Sequence, residues 1–496
     1  MMPRRPIKKV MLVFPPMANV RFTNNICAPP MGIAALAGWL RERTSIEVSV
    51  LDSVVEGYDS AEPVSDNIVR FGLSFDEIQR RIEATAPDLL GVSCLFSSQF
   101  PFVREIARRA RAADPGLTIV TGGSYPSFLP EHCLVTSEVD AIALGEGELP
   151  LTELIEAVNA GRSAARIPGL AVKDNNQVAV SLERNYLPDL NDLPFPARDL
   201  FPVERYFQVN LPMQSISRSR RNLSVATSRG CPYRCRFCSS TRHWGQRLRL
   251  RPVEAVLDEM QELKDRYAIG EVKFEDDNLT FDEDRAKSLF RGMIERRLGL
   301  HWNTPNGIAV RHLDDEMLGL MKESGCYELT LAVESGDPEV LKHIIHKPMD
   351  LVEAERAAAR IKAHGIETAG YFIVGFPGET RNQVENTLDF AYRLKLDRVY
   401  IFMYTPLPGT PLAEQAMKDG LVAEGFDFEN ENNYFLPSVR LADMTAEELT
   451  RLQRRAFWKS NLRLLATRPD RFIRKYGTTL VRHPEMFLRF LRAVRQ

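Results

Sequence analysis

The sequence predicts an α/β protein with two parallel-stranded domains followed by a helical C-terminal region. Short apolar runs alternate with helical patterns from Val10 to Gly145, and the same alternation resumes between Leu223 and Pro406. Such alternation is typical of parallel sheets whose strands are joined by helices. Between the two stretches, residues 160–222 contain six prolines and little periodicity, which indicates a linker. We therefore divide the chain into residues 1–150, 151–220, 221–411 and 412–496.

The first stretch predicts a doubly wound, Rossmann-like sheet. Apolar runs predict strands, and apolar positions at helical spacing predict helices. The strands are expected over 10–16, 46–52, 89–93, 118–123 and 141–145, and the helices over 30–43, 74–85 and 102–113. The ligand of such a sheet lies at the carboxyl ends of its strands. A dinucleotide is disfavoured, because no Gly-x-Gly-x-x-Gly fingerprint follows the first strand.

The second stretch predicts an incomplete parallel barrel. Strands with their loops are expected over 226–230, 271–275, 301–307, 326–336, 368–379 and 398–406, and an amphipathic helix over 252–267. Six strand–helix units fit a partial (β/α)6 TIM barrel, whose functional residues lie at the carboxyl ends of the strands. Asp276 and Asp277 follow the second strand, and we expect a contact to cofactor or backbone there. A general base and a solvated turn are the alternatives.

Composition excludes several classes of protein. Apolar residues make up 44% and charged residues 26% of the 496 residues, as in ordinary globular proteins. The net charge of −2 gives no argument for nucleic-acid binding. No apolar run is long enough to span a membrane, and the short run 10–16 is a strand rather than a signal peptide. An odd number of cysteines, seven, indicates a reducing compartment, so we expect a cytoplasmic protein.

Three cysteines near the middle of the chain carry the strongest chemical signal. Cys231, Cys235 and Cys238 are separated by three and then two residues. Thiolates at this spacing can hold a cubane iron–sulfur cluster, which normally takes four protein thiolates. Three ligands would leave one iron open to a small molecule. The alternative is a structural zinc site, but zinc wants four ligands and this string holds three.

This string, with Phe237 before its last cysteine, resembles the signature of the radical S-adenosylmethionine enzymes. The resemblance implies a [4Fe–4S] cluster on the three cysteines, with S-adenosylmethionine on the open iron. It further implies reductive cleavage to a 5′-deoxyadenosyl radical, driven by an electron donor such as flavodoxin or ferredoxin. By the same resemblance, four residues at two strand ends would contact S-adenosylmethionine: Glu334, Ser335, Gly375 and Glu379.

The strand ends of the first domain resemble those of the cobalamin-binding domains. The matching residues are Asp52 and Gly57, Ser93 and Leu95, and the pair Gly122 and Gly123. The resemblance implies that these three sites accept the nucleotide tail of cobalamin. Where mutases carry a cobalt-ligating histidine two residues after the aspartate, this chain has Val54. Valine cannot ligate cobalt, so the lower axial position is expected to be empty or filled by water, which suits methyl transfer.

Together the two resemblances imply a cobalamin-dependent radical S-adenosylmethionine methyltransferase. One S-adenosylmethionine would methylate the cobalt, and a second would provide the radical that activates an unreactive carbon of a small, hydrophobic or lipid-like substrate. One alternative is an oxidative cyclase without methyl transfer, like the anaerobic magnesium-protoporphyrin ester cyclases. Another, from a different class, is a cobalamin or redox sensor. Methylthiotransferases are disfavoured because no third domain with further cysteines is present.

The C-terminal region is predicted to be helical and basic. A capping box begins at Thr445, and helical spacing runs from Leu449 to Leu465. From Arg451 to Gln496 there are thirteen basic and two acidic residues, interleaved with aromatic ones. We expect a helical cap over the barrel. The alternative is an interfacial surface that touches anionic lipid at the membrane.

Overall fold

The computed structural model describes residues 5–20, 26–65, 68–174, 177–181, 183–210, 217–429, 437–473 and 477. In the N-terminal half, hydrophobic runs form strands and amphipathic segments form the helices between them. The described strands there are β1 (Lys9–Phe14), β2 (Met17–Val20), β3 (Glu47–Asp52), β4 (Ala61–Pro63), β5 (Ile68–Phe71), β6 (Leu89–Ser93), β7 (Thr118–Gly122), β8 (Ala141–Ala143), β9 (Leu170–Asp174) and β10 (Gln177–Val180). The helices are α1 (Met31–Arg43), α2 (Ser53–Glu56), α3 (Phe75–Thr85), α4 (Phe100–Ala113), α5 (Ser124–Phe128), α6 (Pro130–Val135) and α7 (Glu148–Asn159).

The main N-terminal sheet has the order β10-β9-β8-β7-β6-β1-β3. Its pairs are parallel from β8 to β3, whereas β9 and β10 form an antiparallel extension at one edge. Side chains of β1 alternate between the two faces of the sheet: Val10 and Leu12 enter one hydrophobic core, and Met11 and Val13 the other. The doubly wound fold predicted from the sequence is therefore confirmed. A second, antiparallel sheet has the strand order β2-β5-β4.

The linker predicted over 151–220 does not form a separate layer throughout. Helix α7 and the hairpin β9–β10 complete the N-terminal sheet, so that domain continues to about Val180. The described remainder runs through a 3-10 turn at Arg198–Leu200 to α8 (Val203–Val209), whose Tyr206 and Phe207 are buried. The linker is thus packed into the hydrophobic core rather than exposed.

The barrel contains six parallel strands in sequential order, as predicted. The described elements of this part are β11 (Asn222–Val225), β12 (Ser228–Arg229), α9 (Ser240–Trp244), β13 (Arg249–Leu250), α10 (Val253–Tyr267), β14 (Glu271–Phe274), α11 (Glu283–Glu295), β15 (His301–Ile308), α12 (Asp315–Glu323), β16 (Cys326–Glu334), a π-helical turn (Val340–Ile344), α13 (Leu351–Ala363), β17 (Glu367–Val374), α14 (Arg381–Arg393), β18 (Arg398–Met403) and α15 (Pro411–Lys418). The sheet order is β11-β14-β15-β16-β17-β18.

The first barrel strand was predicted at the wrong place. The sequence favoured residues 226–230, but the barrel strand is Asn222–Val225. Ser228 and Arg229 instead form β12, which pairs antiparallel with β13 across the segment that carries the three cysteines. The physical reason is that Asp276 accepts hydrogen bonds from the backbone and hydroxyl of Thr227, which turns the chain away from the sheet.

The C-terminal helix α16 (Ala446–Thr467) begins at the predicted capping box. The Thr445 hydroxyl accepts from the Glu448 backbone, and the Glu448 carboxylate accepts from Thr445. Helix α16 packs on the barrel, since Gln453 donates to the carbonyl of Ile401 in β18. The basic residues from Arg474 onward lie outside the described residues. Among the described helices none is long and apolar enough to cross a membrane.

Candidate cofactor site

A cavity of about 630 Å³ opens at the carboxyl end of the barrel. The loop that carries the cysteines forms one wall, and the ends of β14, β15 and β16 form the others. Its lining includes Cys231, Tyr233, Cys235, Phe237, Cys238, Asp277, Asn278, Asn306, Arg311, Glu334, Lys347 and Asp350. The structure therefore brings all three cysteines of the sequence motif to one cavity.

The three cysteines are half-buried free thiols. Burial raises the pKa of the Cys231 thiol to about 11 and that of Cys238 to about 12. Among the described residues, no three Cys, His, Asp or Glu side chains converge around a single metal ion. A cubane cluster binds each thiolate through a different iron, so its ligands need not converge on one point. The arrangement fits a cluster better than the alternative zinc site.

An ion pair lies in the same cavity. Lys347 Nζ donates to Glu334 Oε1 at 3.1 Å, and both side chains are nearly buried. Burial lowers the pKa of Lys347, but Glu334 and the neighbouring cysteines outweigh it, so the pKa is raised and the ammonium stays charged. Glu334 has a φ of 69°, in the left-handed region that a non-glycine residue rarely adopts. This strained conformation follows a register shift between β16 and β17.

Phe237, the aromatic residue before the last cysteine, also lines the cavity. Its ring packs on Phe376 with the centroids 5.8 Å apart and the planes tilted by 57°. Phe376 in turn packs on Tyr404 at 5.3 Å. Of these three rings only Phe237 lines the cavity, and the buried Phe376 and Tyr404 support it from the core. Phe237 therefore offers an apolar surface beside the cysteine loop, suited to a flat heterocycle.

Three residues expected to contact S-adenosylmethionine have structural partners and do not belong to the cavity lining. Ser335 is buried, and its hydroxyl lies 2.9 Å from that of Thr387. Glu379 accepts through one carboxylate oxygen from the backbone N–H groups of Gly375, at 2.6 Å, and Phe376, at 2.9 Å. Burial raises the pKa of Glu379 to about 8, so at neutral pH it is mostly protonated. Gly375 and Glu379 thus shape the turn after β17, and Ser335 ties the end of β16 to Thr387 in α14.

The two aspartates after β14 face different surroundings, because neighbouring residues on an extended chain point to opposite sides. Asp276 is buried and accepts from the backbone N–H of Thr227 at 3.1 Å and from the hydroxyl of Ser228 at 2.5 Å. Asp277 lines the cavity and accepts from the Ser240 hydroxyl. Asp276 thus makes the expected backbone contact and fixes the start of the cysteine loop.

In the N-terminal domain, the residues of the aspartate motif form hydrogen bonds and packing contacts with other residues of the chain. Asp52 accepts from the N–H groups of Val54 and Val55 at the start of α2, and its other oxygen accepts from the Tyr206 hydroxyl. Val54 is only 2% exposed and belongs to the hydrophobic core, so it does not face a ligand. At Gly57 a Cβ atom would come within 2.1 Å of the Leu73 backbone nitrogen, which explains the glycine.

The other two predicted cobalamin sites lie at neighbouring strand ends. Ser93 and Gly122 are paired in register at the ends of β6 and β7. Leu95 is 46% exposed and Phe96 is 41% exposed, which leaves apolar surface at this edge. Gly123 has a φ of 112°, and a Cβ atom there would lie 2.4 Å from the Cys94 carbonyl oxygen. Gly123 therefore lets two strand-end loops pass close together.

Several residues of the site were not predicted from the sequence. Lys347, Asn306 and Arg311 line the cavity but belong to no local motif. Lys347 is brought beside Glu334 by the π-helical turn at Val340–Ile344, which no propensity pattern signals. Glu146 and Glu148, which follow β8, lie against Arg249 and Arg229, the two arginines that flank the cysteine loop.

Comparison with known proteins agrees with this architecture. A model of the radical SAM superfamily matches residues 225–391, and a model of the B12 binding domain matches residues 22–155. The chain is 33% identical to cytidylyl-2-hydroxyethylphosphonate methyltransferase from Streptomyces wedmorensis, over 84% of this chain and 83% of that one. The chain belongs to the cobalamin-binding radical S-adenosylmethionine enzymes.

Two further relatives describe the breadth of this family. Anaerobic magnesium-protoporphyrin IX monomethyl ester cyclase from Rubrivivax gelatinosus is 27% identical, over 85% of this chain and 71% of that one. The fold is similar to that of the radical S-adenosylmethionine methyltransferase TsrM from Kitasatospora setae, solved with cobalamin and a [4Fe–4S] cluster. The TM-score is 0.67 at 21% identity, over 90% of this chain and 85% of that chain.

The family's cofactors are a [4Fe–4S] cluster, S-adenosylmethionine and cobalamin, and the residues present fit them. Three thiols and an ion pair share one cavity, which suits a cluster and the charged amino-acid end of S-adenosylmethionine. For cobalamin, exposed apolar side chains lie at the sheet edge. Beside them the buried amide nitrogen of Gln99 has no hydrogen-bond partner among the described residues.

Proposed function

We propose that this enzyme transfers a methyl group to an unactivated carbon of a small molecule. The observation that carries the proposal is the presence, in one chain, of a three-cysteine cavity and a cobalamin-binding domain. The 33% identical relative, itself named a methyltransferase, supports it. When bound, the cluster with S-adenosylmethionine supplies one-electron chemistry that makes an unactivated C–H bond reactive, and cobalamin supplies a transferable methyl group.

In this proposal Cys231, Cys235 and Cys238 hold the cluster. Lys347 and Glu334 hold S-adenosylmethionine, because an ammonium and a carboxylate side by side complement the carboxylate and ammonium of an amino acid. Phe237 offers its ring to the adenine. Together these residues hold the reacting groups in line and exclude water from the cavity. Such positioning is the main contribution of a protein to this chemistry.

The cobalamin contacts are proposed at Ser93, Leu95, Gly122 and Gly123. Asp52, Val54 and Gly57 support this site from behind, because their side chains or backbones are committed to α2, Tyr206 and the core. With Val54 in the core, this position provides no axial ligand to cobalt. Gly375 and Glu379 likewise shape the S-adenosylmethionine site through the turn after β17, and Ser335 does so through its contact with Thr387 at the end of β16.

A hydrophobic substrate is supported by apolar side chains close to the cavity lining. Phe281 is 38% exposed, and its ring meets that of Tyr233 edge-on with the centroids 5.8 Å apart. Val352 is exposed beside Asp350 and Glu353, which line the cavity. Apolar groups exposed near a cavity are typical of surfaces that cover an apolar ligand.

Three further expectations belong to the proposal. They are reduction by a flavodoxin-like or ferredoxin-like donor, a cytoplasmic location without nucleic-acid partners, and peripheral contact of α16 with anionic lipid. The lipid contact is supported by exposed Leu462 and Leu465 next to Lys459. Co-sedimentation with phosphatidylglycerol vesicles tests it, and equal binding of wild type and L462S/L465S would refute it.

The direct test uses S-adenosylmethionine that carries a deuterated methyl group. The reconstituted enzyme and a chemical reductant are incubated with a cell extract, and small molecules are compared by mass spectrometry. We expect a product that carries one deuterated methyl group and is absent with C235A. The second candidate function, oxidative cyclisation, is favoured by the 27% identity to the cyclase. It predicts a product that loses hydrogen and gains no label.

A further inference from the structure

The segment that carries the three cysteines is closed at its base by the hairpin β12–β13. Arg229 on β12 and Arg249 on β13 are directly paired across this hairpin. Cys231, Cys235 and Cys238 all lie in the loop between these two arginines. Gly230, with a φ of 93°, separates Arg229 from the first cysteine. The position of the hairpin therefore determines the position of the first cysteine of the loop.

Both arginines are held by carboxylates from the other domain. Arg249 Nη2 lies 2.5 Å from Glu146 Oε1, and Arg229 Nη2 lies 2.6 Å from Glu148 Oε1. Arg229 also approaches Glu146 at 3.4 Å. The side chains of Glu146 and Glu148 are 0% and 5% exposed, and those of Arg249 and Arg229 are 4% and 11% exposed. We call these four residues the interdomain clamp.

The clamp is also tied to the linker and to the cysteine loop itself. Glu146 accepts from the Leu187 backbone N–H at 3.0 Å, and Arg249 donates to the Leu187 carbonyl at 2.8 Å. Arg249 donates to the Trp244 carbonyl at 2.9 Å, and Arg229 stacks over the Trp244 ring at 5.4 Å. Three segments thus meet at one buried, charge-balanced point, which leaves little freedom for rotation.

The two glutamates lie directly after β8, at the carboxyl edge of the sheet that carries the proposed cobalamin contacts. A buried ion pair need not add net stability, because the cost of desolvating both charges can exceed their attraction. We propose that Glu146 and Glu148 are positioning residues that act through Arg229 and Arg249 to orient the cysteine loop, and with it the cluster, relative to the N-terminal domain. The inference rests on the proposed function for the two cofactor sites.

The test compares wild type, E148Q and R229K as full-length, anaerobically reconstituted proteins. E414Q is the matched control, because it removes an exposed ion pair to Arg242 of the same loop. Iron and cobalamin contents, the electron paramagnetic resonance spectrum of the reduced cluster and its midpoint potential are measured for each. Cleavage of S-adenosylmethionine is measured as kcat and KM.

We expect E148Q to bind cobalamin like wild type, with an altered cluster spectrum and a more positive midpoint potential. The reason is that Arg229, two residues from Cys231, loses the nearer of its two counter-charges. We expect kcat for cleavage to fall about tenfold or more with KM little changed, since a small misplacement costs rate rather than binding. R229K keeps the charge but loses the two-pronged geometry, so it should alter the spectrum with a smaller shift in potential.

The outcomes separate the two hypotheses. If wild type binds no cobalamin, the proposed function fails, whatever the variants do. If wild type binds it, and E148Q and R229K match E414Q in spectrum, potential and kcat, the clamp has no positioning role. A folded E148Q that binds cobalamin but no iron supports the clamp, because the defect then lies in the cysteine loop alone. If E148Q does not fold, R229K is compared with E414Q instead. An altered cluster spectrum in R229K then supports the clamp, and an unchanged spectrum refutes it.

Discussion

Lys347 and Glu334 form an ion pair, with Nζ and Oε1 3.1 Å apart, inside the cavity that the three cysteines line. They lie thirteen positions apart in the chain, and the π-helical turn at Val340–Ile344 returns Lys347 to the end of β16. Nearly buried charges of opposite sign beside a cluster site provide both halves of a recognition site for a zwitterionic amino acid. The strained backbone of Glu334 agrees with a functional role.

The first prediction concerns this ion pair. E334Q and K347M should keep a full complement of iron but bind S-adenosylmethionine about tenfold more weakly or worse, a loss of about 1.4 kcal/mol. Isothermal titration of the anaerobic, iron-loaded protein measures the affinity. E339Q is the control, since it removes an exposed pair with His343 in the same turn. Unchanged affinity in both cavity variants would mean that the pair does not hold the cosubstrate.

The second prediction concerns the cysteines. C231A, C235A and C238A should each lose most of the iron that wild type binds, because a cubane with two protein thiolates is poorly held. C326A should keep its iron, since Cys326 is buried in β16 away from the cavity lining. Iron and sulfide analysis after anaerobic reconstitution is the measurement. Equal iron in C238A and C326A would exclude Cys238 as a ligand.

The third prediction follows from the buried Asp52. Burial raises its pKa to about 6, against the opposing hydrogen bonds from Tyr206, Val55 and Val54. In the unfolded chain an aspartate has a pKa of about 4, so the folded protein binds this proton more tightly. The free energy of unfolding therefore falls as the pH rises from about 4 to about 6. D52N does not titrate, and over this window it should gain up to about 3 kcal/mol relative to wild type.

Urea unfolding at several pH values between about 4 and about 7 measures this difference. D59N serves as control, because Asp59 is an exposed residue whose ion pair with Arg205 contributes little to stability. If the difference between D52N and wild type were constant, Asp52 would not be charged and buried as described.

The fourth prediction concerns Val54. A histidine at this position would restore the residue that ligates cobalt in mutases, but the side chain enters the core rather than a ligand site. V54H should therefore destabilise the fold by about 1–3 kcal/mol through overpacking and a buried imidazole, and should leave the cobalt without a nitrogen ligand. The resonance spectrum of Co(II) in the bound cobalamin reports the ligand. Nitrogen splitting in V54H alone would contradict this placement.

The sequence was most informative where the determinants are local. The cysteines are only three and two residues apart, so any fold of that loop keeps them together, and the strands of both sheets follow from short apolar runs. It was least informative where distant residues decide. The contacts of Asp52 to cobalamin and of Ser335 to the cosubstrate stay predictions. The sequence did not indicate that Tyr206, 154 residues later in the chain, donates to the Asp52 carboxylate, or that Thr387 lies against the Ser335 hydroxyl. The first barrel strand was misplaced because Asp276 bends the chain at Thr227.

Glu146 and Glu148 show the same limit. Their partners, Arg249 and Arg229, lie about 80 to 100 residues further along the chain, and no local pattern connects them. Their partners became evident only from the packing of the two domains.

The central claim, that one chain combines both cofactor sites for methyl transfer, is tested most directly with S-adenosylmethionine labelled in its methyl group. The reconstituted enzyme, with cobalamin and a chemical reductant, is quenched and separated by chromatography. We predict label in the corrinoid fraction and 5′-deoxyadenosine in the same sample, with the deoxyadenosine lost in C235A. 5′-Deoxyadenosine without labelled corrinoid or labelled product would contradict methyl transfer and favour the cyclase chemistry.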